Sequence, residues 1–148
     1  MTLEAFLASL HLVAILTLVV FLSSEAALCR SEWMNAEVVR RLARLDLIYG
    51  IVAVALLLTG IARIVWGAKG LDWYVSQPLF HLKMLLFIVV ALLSLRPTFT
   101  IRRWLKTLNV AGTLPSPESV RWVRKWIMVQ AHLIPVIAVI GVYWARGM

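Results

Sequence analysis

Four long apolar segments constrain the fold of this chain more than any other feature. They run from about residue 3 to 24, 45 to 68, 78 to 95 and 126 to 145. A helix needs roughly 20 mainly apolar residues to cross a hydrocarbon core of about 30 Å, and each segment is close to that length. Backbone groups inside a bilayer must find hydrogen-bond partners within their own segment, so we expect helices and no open sheet. The sequence therefore predicts an all-α, integral membrane four-helix bundle that occupies residues 1–148 as one domain.

Composition supports a membrane location and excludes several soluble classes. Hydrophobic residues make up 62% of the 148 residues and charged residues only 15%, well above the roughly half-apolar composition of soluble domains. The single cysteine, Cys29, excludes an intrachain disulfide and a cysteine-based metal cluster. A net charge of +8 would suit nucleic acid in a soluble protein, but here the basic residues lie between apolar segments. We expect a lipid bilayer as the partner and no nucleic acid.

The positions of the basic residues predict how the spans are oriented. Of the 15 Lys and Arg residues, 11 lie in segments 25–44 and 96–125, which follow the first and third spans. Because Lys and Arg accumulate on the cytoplasmic side, we predict a multi-pass protein of the bacterial inner membrane with both termini outside and two basic cytoplasmic loops. In the second loop, Ile101, Trp104 and Leu108 recur at helical spacing. This pattern indicates either a helix that lies flat on the leaflet or a solvated loop.

Ionisable side chains within the spans are the candidate functional residues, because each is costly in hydrocarbon. All three histidines of the chain, His11, His81 and His132, fall within predicted spans. His11 lies seven residues after Glu4 and fourteen before Glu25, so the three share nearly one helix face, which we expect to face the bundle interior. A histidine there binds a ligand or a proton, or it bonds to a neighbouring helix as a packing contact.

Two further features point to a bound molecule. His132 lies three residues before Pro135, and a proline removes one helical hydrogen bond and bends the helix beside the histidine. Lys83 and Arg63 lie near the ends of the third and second spans. They either extend to the headgroups or turn inward and form, with His81, a cationic pocket suited to carboxylate groups.

Imidazoles without further cysteines or clustered aspartates favour haem iron, copper or zinc. A haem with two axial histidines requires them on facing helices at comparable depth, which suggests His11 with His132 or His81. The same three histidines are the candidate ligands of a copper or zinc ion, although the scattered methionines do not resemble a copper(I) relay. A third interpretation is a structural or assembly subunit in which the histidines bridge helices.

Three segments resemble a superfamily of small bacterial four-helix membrane proteins. They are residues 10–14, 79–86 and 134–136. The superfamily contains HemJ-type protoporphyrinogen IX oxidase, the membrane domain of CopD copper-resistance proteins and an uncharacterised domain family, to which this chain is most similar. By this resemblance His11 corresponds to the histidine of the first helix and Lys83 to the lysine of the third.

The chain departs from the HemJ pattern at two places. HemJ proteins carry another histidine about three turns after the lysine, where this chain has Ser94, and Asn and Glu before the last proline, where it has His132 and Leu133. The resemblance implies haem b and either electron transfer or porphyrinogen oxidation. It leaves open whether the chain is an enzyme, which redox partner it uses and whether it forms a homo-oligomer. The expected cofactor-binding residues are His11, His132, His81, Lys83 and Arg63.

Overall fold

A computed structural model describes residues 2–67 and 69–146, and this part of the chain contains helices but no strand. The helices are α1 (Leu3–Leu28), α2 (Ala36–Val65), α3 (Leu71–Ser76), α4 (Pro78–Ala111) and α5 (Pro117–Ala145), with a 3₁₀ turn at Ser31–Trp33. The four long helices are apolar and long enough to cross a membrane. The predicted all-α membrane fold with four spans is confirmed.

The helices extend past the predicted spans on the side that carries the basic segments. α1 continues to Leu28, and α2 and α5 begin well before their spans, at Ala36 and Pro117. At the opposite side α2 ends at Val65, and Ala68, the predicted end of the second span, lies outside the described residues. The 34 residues of α4 give a helix about 51 Å long, longer than a hydrocarbon core of about 30 Å, so part of the bundle projects from the membrane.

Capping residues explain where the helices begin and end. The Asn35 side chain accepts a hydrogen bond from the backbone N–H of Val38 at 2.9 Å, and Ser116 does the same for Ser119 at 3.3 Å. Both residue types satisfy N–H groups that have no partner in a first helical turn, and the sequence predicts both starts. Gly112, with φ of 66°, ends α4 in the left-handed conformation that glycine adopts without strain.

The long helices form two antiparallel hairpins. α1 packs against α2 and α4 against α5, and the hairpins join through contacts of α2 with α4 and of α1 with α5. The connections at residues 29–35 and 112–116 therefore lie at one end, which we call the basic end. The opposite end of the bundle contains the short helix α3, the first turns of α1 and α4 and the last turns of α2 and α5. We call it the terminal end.

The tightest packing lies at the basic end. The hydrophobic side chains there that are at most 1% exposed are Cys29, Val39, Leu42, Ile101, Val120, Val123 and Ile127. Towards the terminal end the bundle has fewer buried side chains, and most apolar residues of the spans face outward. The part that projects from the membrane is thus packed like a soluble core, whereas lipid covers much of the rest.

The prediction of a surface helix or solvated loop in the second basic segment was wrong. Residues 96–111 continue α4 without a break, and Ile101, Trp104 and Leu108 are buried in the core. The Trp104 indole N–H also donates to the Ser119 hydroxyl at 3.1 Å. Pro97 is fully buried inside α4, which continues through it. The apolar stripe therefore packs against neighbouring helices rather than against lipid headgroups.

Candidate functional site

His11 is the one buried histidine of the three, with 8% of its surface exposed. α1 places it on the same inward face as Ala14, Leu18 and Glu25. The prediction of a shared polar face is therefore confirmed for His11 and Glu25. Glu4, in the first turn of α1, is exposed and does not contribute to this buried face.

The hydrogen bonds around His11 fix which ring nitrogen carries its proton. The Thr59 hydroxyl donates its single proton to the Leu56 carbonyl at 3.0 Å, and Nδ1 of His11 lies 2.9 Å from the Thr59 oxygen. Because that hydroxyl has no second proton, Nδ1–H of His11 must be the donor. In the neutral ring, Nε2 then carries a lone pair. Within the described residues, Nε2 has no hydrogen-bond partner, so it is the ring atom available to a ligand.

Gly60 makes room for the His11 ring between α1 and α2. A Cβ atom at position 60 would lie 3.3 Å from Cε1 of His11, closer than ordinary van der Waals contact. The glycine therefore allows the two helices to approach with the imidazole between them. This agrees with the role in helix packing that small residues have in membranes.

Lys83 and Arg63 are the cationic side chains close enough to act electrostatically on His11. Both are partly buried. Nζ of Lys83 lies 5.3 Å from the centre of the Trp144 ring, and a Cβ atom at Gly141 would lie 3.6 Å from the same nitrogen. Lys83 therefore turns towards α5, and this contact favours the inward orientation over one extended to the headgroups. We call His11, Lys83 and Arg63 the His11 site.

The two cations of the His11 site lack an acidic partner. Within the part of the chain that the structure describes, the one ion pair is Arg41 with Glu37 on the outside of α2. Lys83 is stabilised by the face of Trp144, and Arg63 by its place in the last turn of α2, where the helix dipole is negative. Two partly buried cations without a counter-ion therefore favour the binding of a negatively charged group.

Aromatic rings pack together beside Lys83 at the terminal end. Trp144 lies 5.1 Å from Tyr74, 6.0 Å from Phe80 and 6.1 Å from Trp73, measured between ring centroids. Such offset and tilted contacts stabilise aromatic pairs beyond the area they bury. The cluster therefore holds α3, α4 and α5 together on the terminal side of the His11 site.

His81 is not part of this site. Its side chain is exposed, and Nε2 donates to the Val75 carbonyl at 2.8 Å. Its ring also packs edge-on against Phe80. The structure therefore brings Lys83 and Arg63 to His11, whereas the sequence suggests a pocket that they form with His81.

His132 faces away from the bundle. It is exposed, and Nδ1 donates to the Met128 carbonyl of its own helix at 2.6 Å. The shallow groove beside it, about 560 Å³ in volume, is lined by residues of α5 alone. The inward face of α5 carries Gln130 and Ile134 instead. Among the described residues, moreover, no group of three or more His, Cys, Asp or Glu side chains is placed to hold a metal ion.

Comparison with known proteins identifies the family. The chain matches the family described as predicted membrane protein (DUF2214) over residues 3–148. It belongs to the DUF2214 family. The family description agrees with the four apolar helices, and no curated protein or solved structure matches the chain.

Several polar residues of this DUF2214 protein that are buried or partly buried were not predicted from the sequence. Thr59 orients His11, and a second group of Tyr49, Gln130 and Thr98 surrounds Asp46 and Glu25 near the basic end. Thr, Tyr and Gln side chains are uncharged, so a search for charged and histidine side chains within the spans does not select them. The spacing of Asp46 and Tyr49 could have indicated this group, because residues that are three apart share a helix face.

Proposed function

We propose that this DUF2214 protein binds haem b beside the His11 site, where Nε2 of His11 would hold the iron and Lys83 and Arg63 would bind the propionates. One observation carries the proposal: a buried imidazole has a free Nε2 and lies near two cations that have no acidic partner in the described chain.

The local chemistry suits this ligand. Histidines that bind a metal through one ring nitrogen usually donate the other N–H to an oxygen that fixes the ring, as Thr59 does for His11. Lys and Arg form charge-assisted bonds with carboxylates such as propionates. Haem iron would supply one-electron chemistry, which suits electron transfer or porphyrinogen oxidation, and the chain would set the ligand and the dielectric around it.

The geometry favours a different ligand set from the paired histidines that the sequence suggests. His81 and His132 are exposed and bond to backbone carbonyls, so His11 is the ligand we propose and neither of the others is needed. The resemblance to HemJ-type and CopD proteins points the same way, since it rests on His11 and Lys83. We place the protein in the bacterial inner membrane with the basic end in the cytoplasm, on the positive-inside rule.

A matched pair of histidine variants tests the proposal. The full chain is purified in detergent from cells with ample haem supply, and its Soret band and haem content per chain are measured. We expect haem in the wild-type protein and in His132→Ala, because His132 faces outward. We expect His11→Ala to lose haem at least tenfold, the usual cost of removing a metal ligand or its support.

The outcome against the proposal is a wild-type protein without a Soret band, or equal haem loss in both variants.

Titration with metal-free protoporphyrin isolates the contribution of the cations. Lys83→Met removes one charge-assisted bond, worth about 1.5–3 kcal/mol, so affinity for the porphyrin falls roughly 10- to 100-fold. Elemental analysis of the same material separates haem from a bare copper or zinc ion, which no described ligand group favours. Unchanged ligand content in every variant indicates a structural or assembly subunit.

A further inference from the structure

A second polar group lies in the interior near the basic end, apart from the His11 site. Glu25 is 2% exposed, and Asp46, Tyr49 and Gln130 are also buried. Glu25 and His11 are 14 residues apart on α1, about 21 Å along the helix axis, with Leu18 and Leu22 buried between them. The two polar groups are therefore separate sites.

Every member of this group except Glu25 has a hydrogen-bond partner. The Thr98 hydroxyl donates to Asp46 at 2.7 Å, and the Tyr49 hydroxyl donates to Oε1 of Gln130 at 3.0 Å. The amide of Gln130 in turn donates to the Trp126 carbonyl at 3.2 Å. Oε1 of Glu25, by contrast, is fully enclosed and has no partner among the described residues.

No positive charge near Glu25 replaces the missing donor. Arg124 of α5 donates to the carbonyls of Ala26 and Cys29, and Arg102 of α4 acts on Asp46. Neither arginine forms an ion pair with Glu25 within the described chain. Asp46 adds negative charge instead.

The uncharged neighbours do not supply the missing charge either. Tyr49 commits its proton to Gln130. Cys29 remains a neutral thiol, because burial raises its pKa to about 12. An ionised carboxylate in these surroundings is costly. A metal ion is also disfavoured, since the described residues offer no group of three or more ligands for one.

A polar groove opens to solution at the basic end, close in sequence to Glu25. It has a volume of about 360 Å³ at the basic end, and its lining includes Cys29, Glu32 and Arg124. The backbone N–H of Cys29 bonds to the carbonyl of Glu25, one helical turn away. Cys29 thus connects the lining of the groove to the helical turn that carries Glu25.

We propose that Glu25 is a proton-binding site that exchanges with water at the basic end through this groove. Its carboxylate takes a proton from hydronium and releases water, which removes the negative charge of Glu25 from its place beside Asp46. Carboxyl groups buried within membrane spans commonly mark sites of proton binding and transfer. The site is independent of haem binding at His11.

Infrared difference spectroscopy of the full chain in detergent tests the proposal. At neutral pH we expect the carbonyl band of a protonated carboxylic acid, with a shift in D₂O. Glu25→Gln removes the band, because the amide resembles the neutral acid in shape but has no carboxyl group. Glu118→Gln is the matched control, because Glu118 is exposed and lies outside this group, and it retains the band. Glu25→Gln also keeps the wild-type melting temperature, as expected if the acid is already neutral.

A wild-type protein without the band, or Glu25→Gln that keeps it, overturns the proposal. If Glu25→Gln does not fold, wild-type protein with isotope-labelled glutamate gives the answer. The other four glutamates, Glu4, Glu32, Glu37 and Glu118, are exposed, so an isotope shift of a protonated-acid band assigns it to Glu25. A band that does not shift belongs to Asp46 and rejects the assignment.

Discussion

Hydrogen bonds within the interior decide which polar atoms can still act on a ligand. Thr59 uses its only proton on Leu56, and this choice fixes the proton of His11 on Nδ1 and frees Nε2. Gln130 is different, because both ends of its amide are bonded, to Tyr49 and to the Trp126 carbonyl. Such a satisfied side chain holds helices in register and has little left for binding. Nε2 of His11 and Oε1 of Glu25 are thus interior acceptor atoms that have no partner within the described chain.

We predict that Cys29 is unreactive in the folded protein. Its thiol has no exposed surface, and burial raises its pKa from 9.0 to about 12. The thiolate is the reactive form, so alkylation at pH 8 is expected to be about a thousandfold slower than in unfolded chain. The rate is measured with a water-soluble maleimide before and after denaturation. Equal rates in the two states would contradict this prediction.

This raised pKa of Cys29 also links stability to pH. Below about pH 9 the thiol is protonated in both states, so its contribution is constant. Between about pH 9 and 12 the unfolded chain ionises while the folded chain does not, which favours unfolding. The melting temperature of the wild-type protein therefore falls more steeply over this range than that of Cys29→Ala. Parallel curves for the two proteins would refute the link.

At the scale of single elements, capping residues predict measurable contributions to stability. Ser116→Ala removes the hydrogen bond to the first turn of α5 and is expected to cost about 1 kcal/mol of unfolding free energy. Thr113→Ala is a suitable control, because Thr113 is exposed in the same connection and makes no hydrogen bond in the described structure. Chemical denaturation in detergent measures both. A control that loses as much as Ser116→Ala would show that the cap is not the cause.

Local patterns explain which elements the sequence predicts and which it does not. Asn35 and Ser116 predict where two helices start, because capping depends only on residues within one turn. The helix over residues 96–111 was not predicted, because whether a helix continues through Pro97 depends on the helices packed around it. The orientation of His132 could not be predicted for the same reason. The sequence places it within a span but does not determine whether it lies on the inward or the outward face of α5. The His11 face was predictable because Glu25 repeats the same periodicity on α1.

At the scale of the whole molecule, packing is divided between two ends with different roles. The basic end projects from the membrane and has a dense core of nearly inaccessible side chains, which fixes the helices relative to one another. Towards the terminal end the spans turn most of their apolar side chains outward, to lipid. Association of apolar helices gains little from burial in a bilayer. The His11 site therefore lies in the less tightly packed half, where side chains can adjust to a bound molecule.

The difference in packing between the two ends predicts different losses of stability for two leucines of α2. Leu42 is 0% exposed at the basic end, whereas Leu58 is 60% exposed within the span. Leu42→Ala leaves a cavity in a packed core and is expected to cost about 2–5 kcal/mol of unfolding free energy. Leu58→Ala removes contact only with lipid or detergent, so its cost stays within about 0.5 kcal/mol. Denaturant unfolding in one detergent compares the two, and a Leu58 cost as large as that of Leu42 would place tight packing along the whole bundle instead of at the basic end.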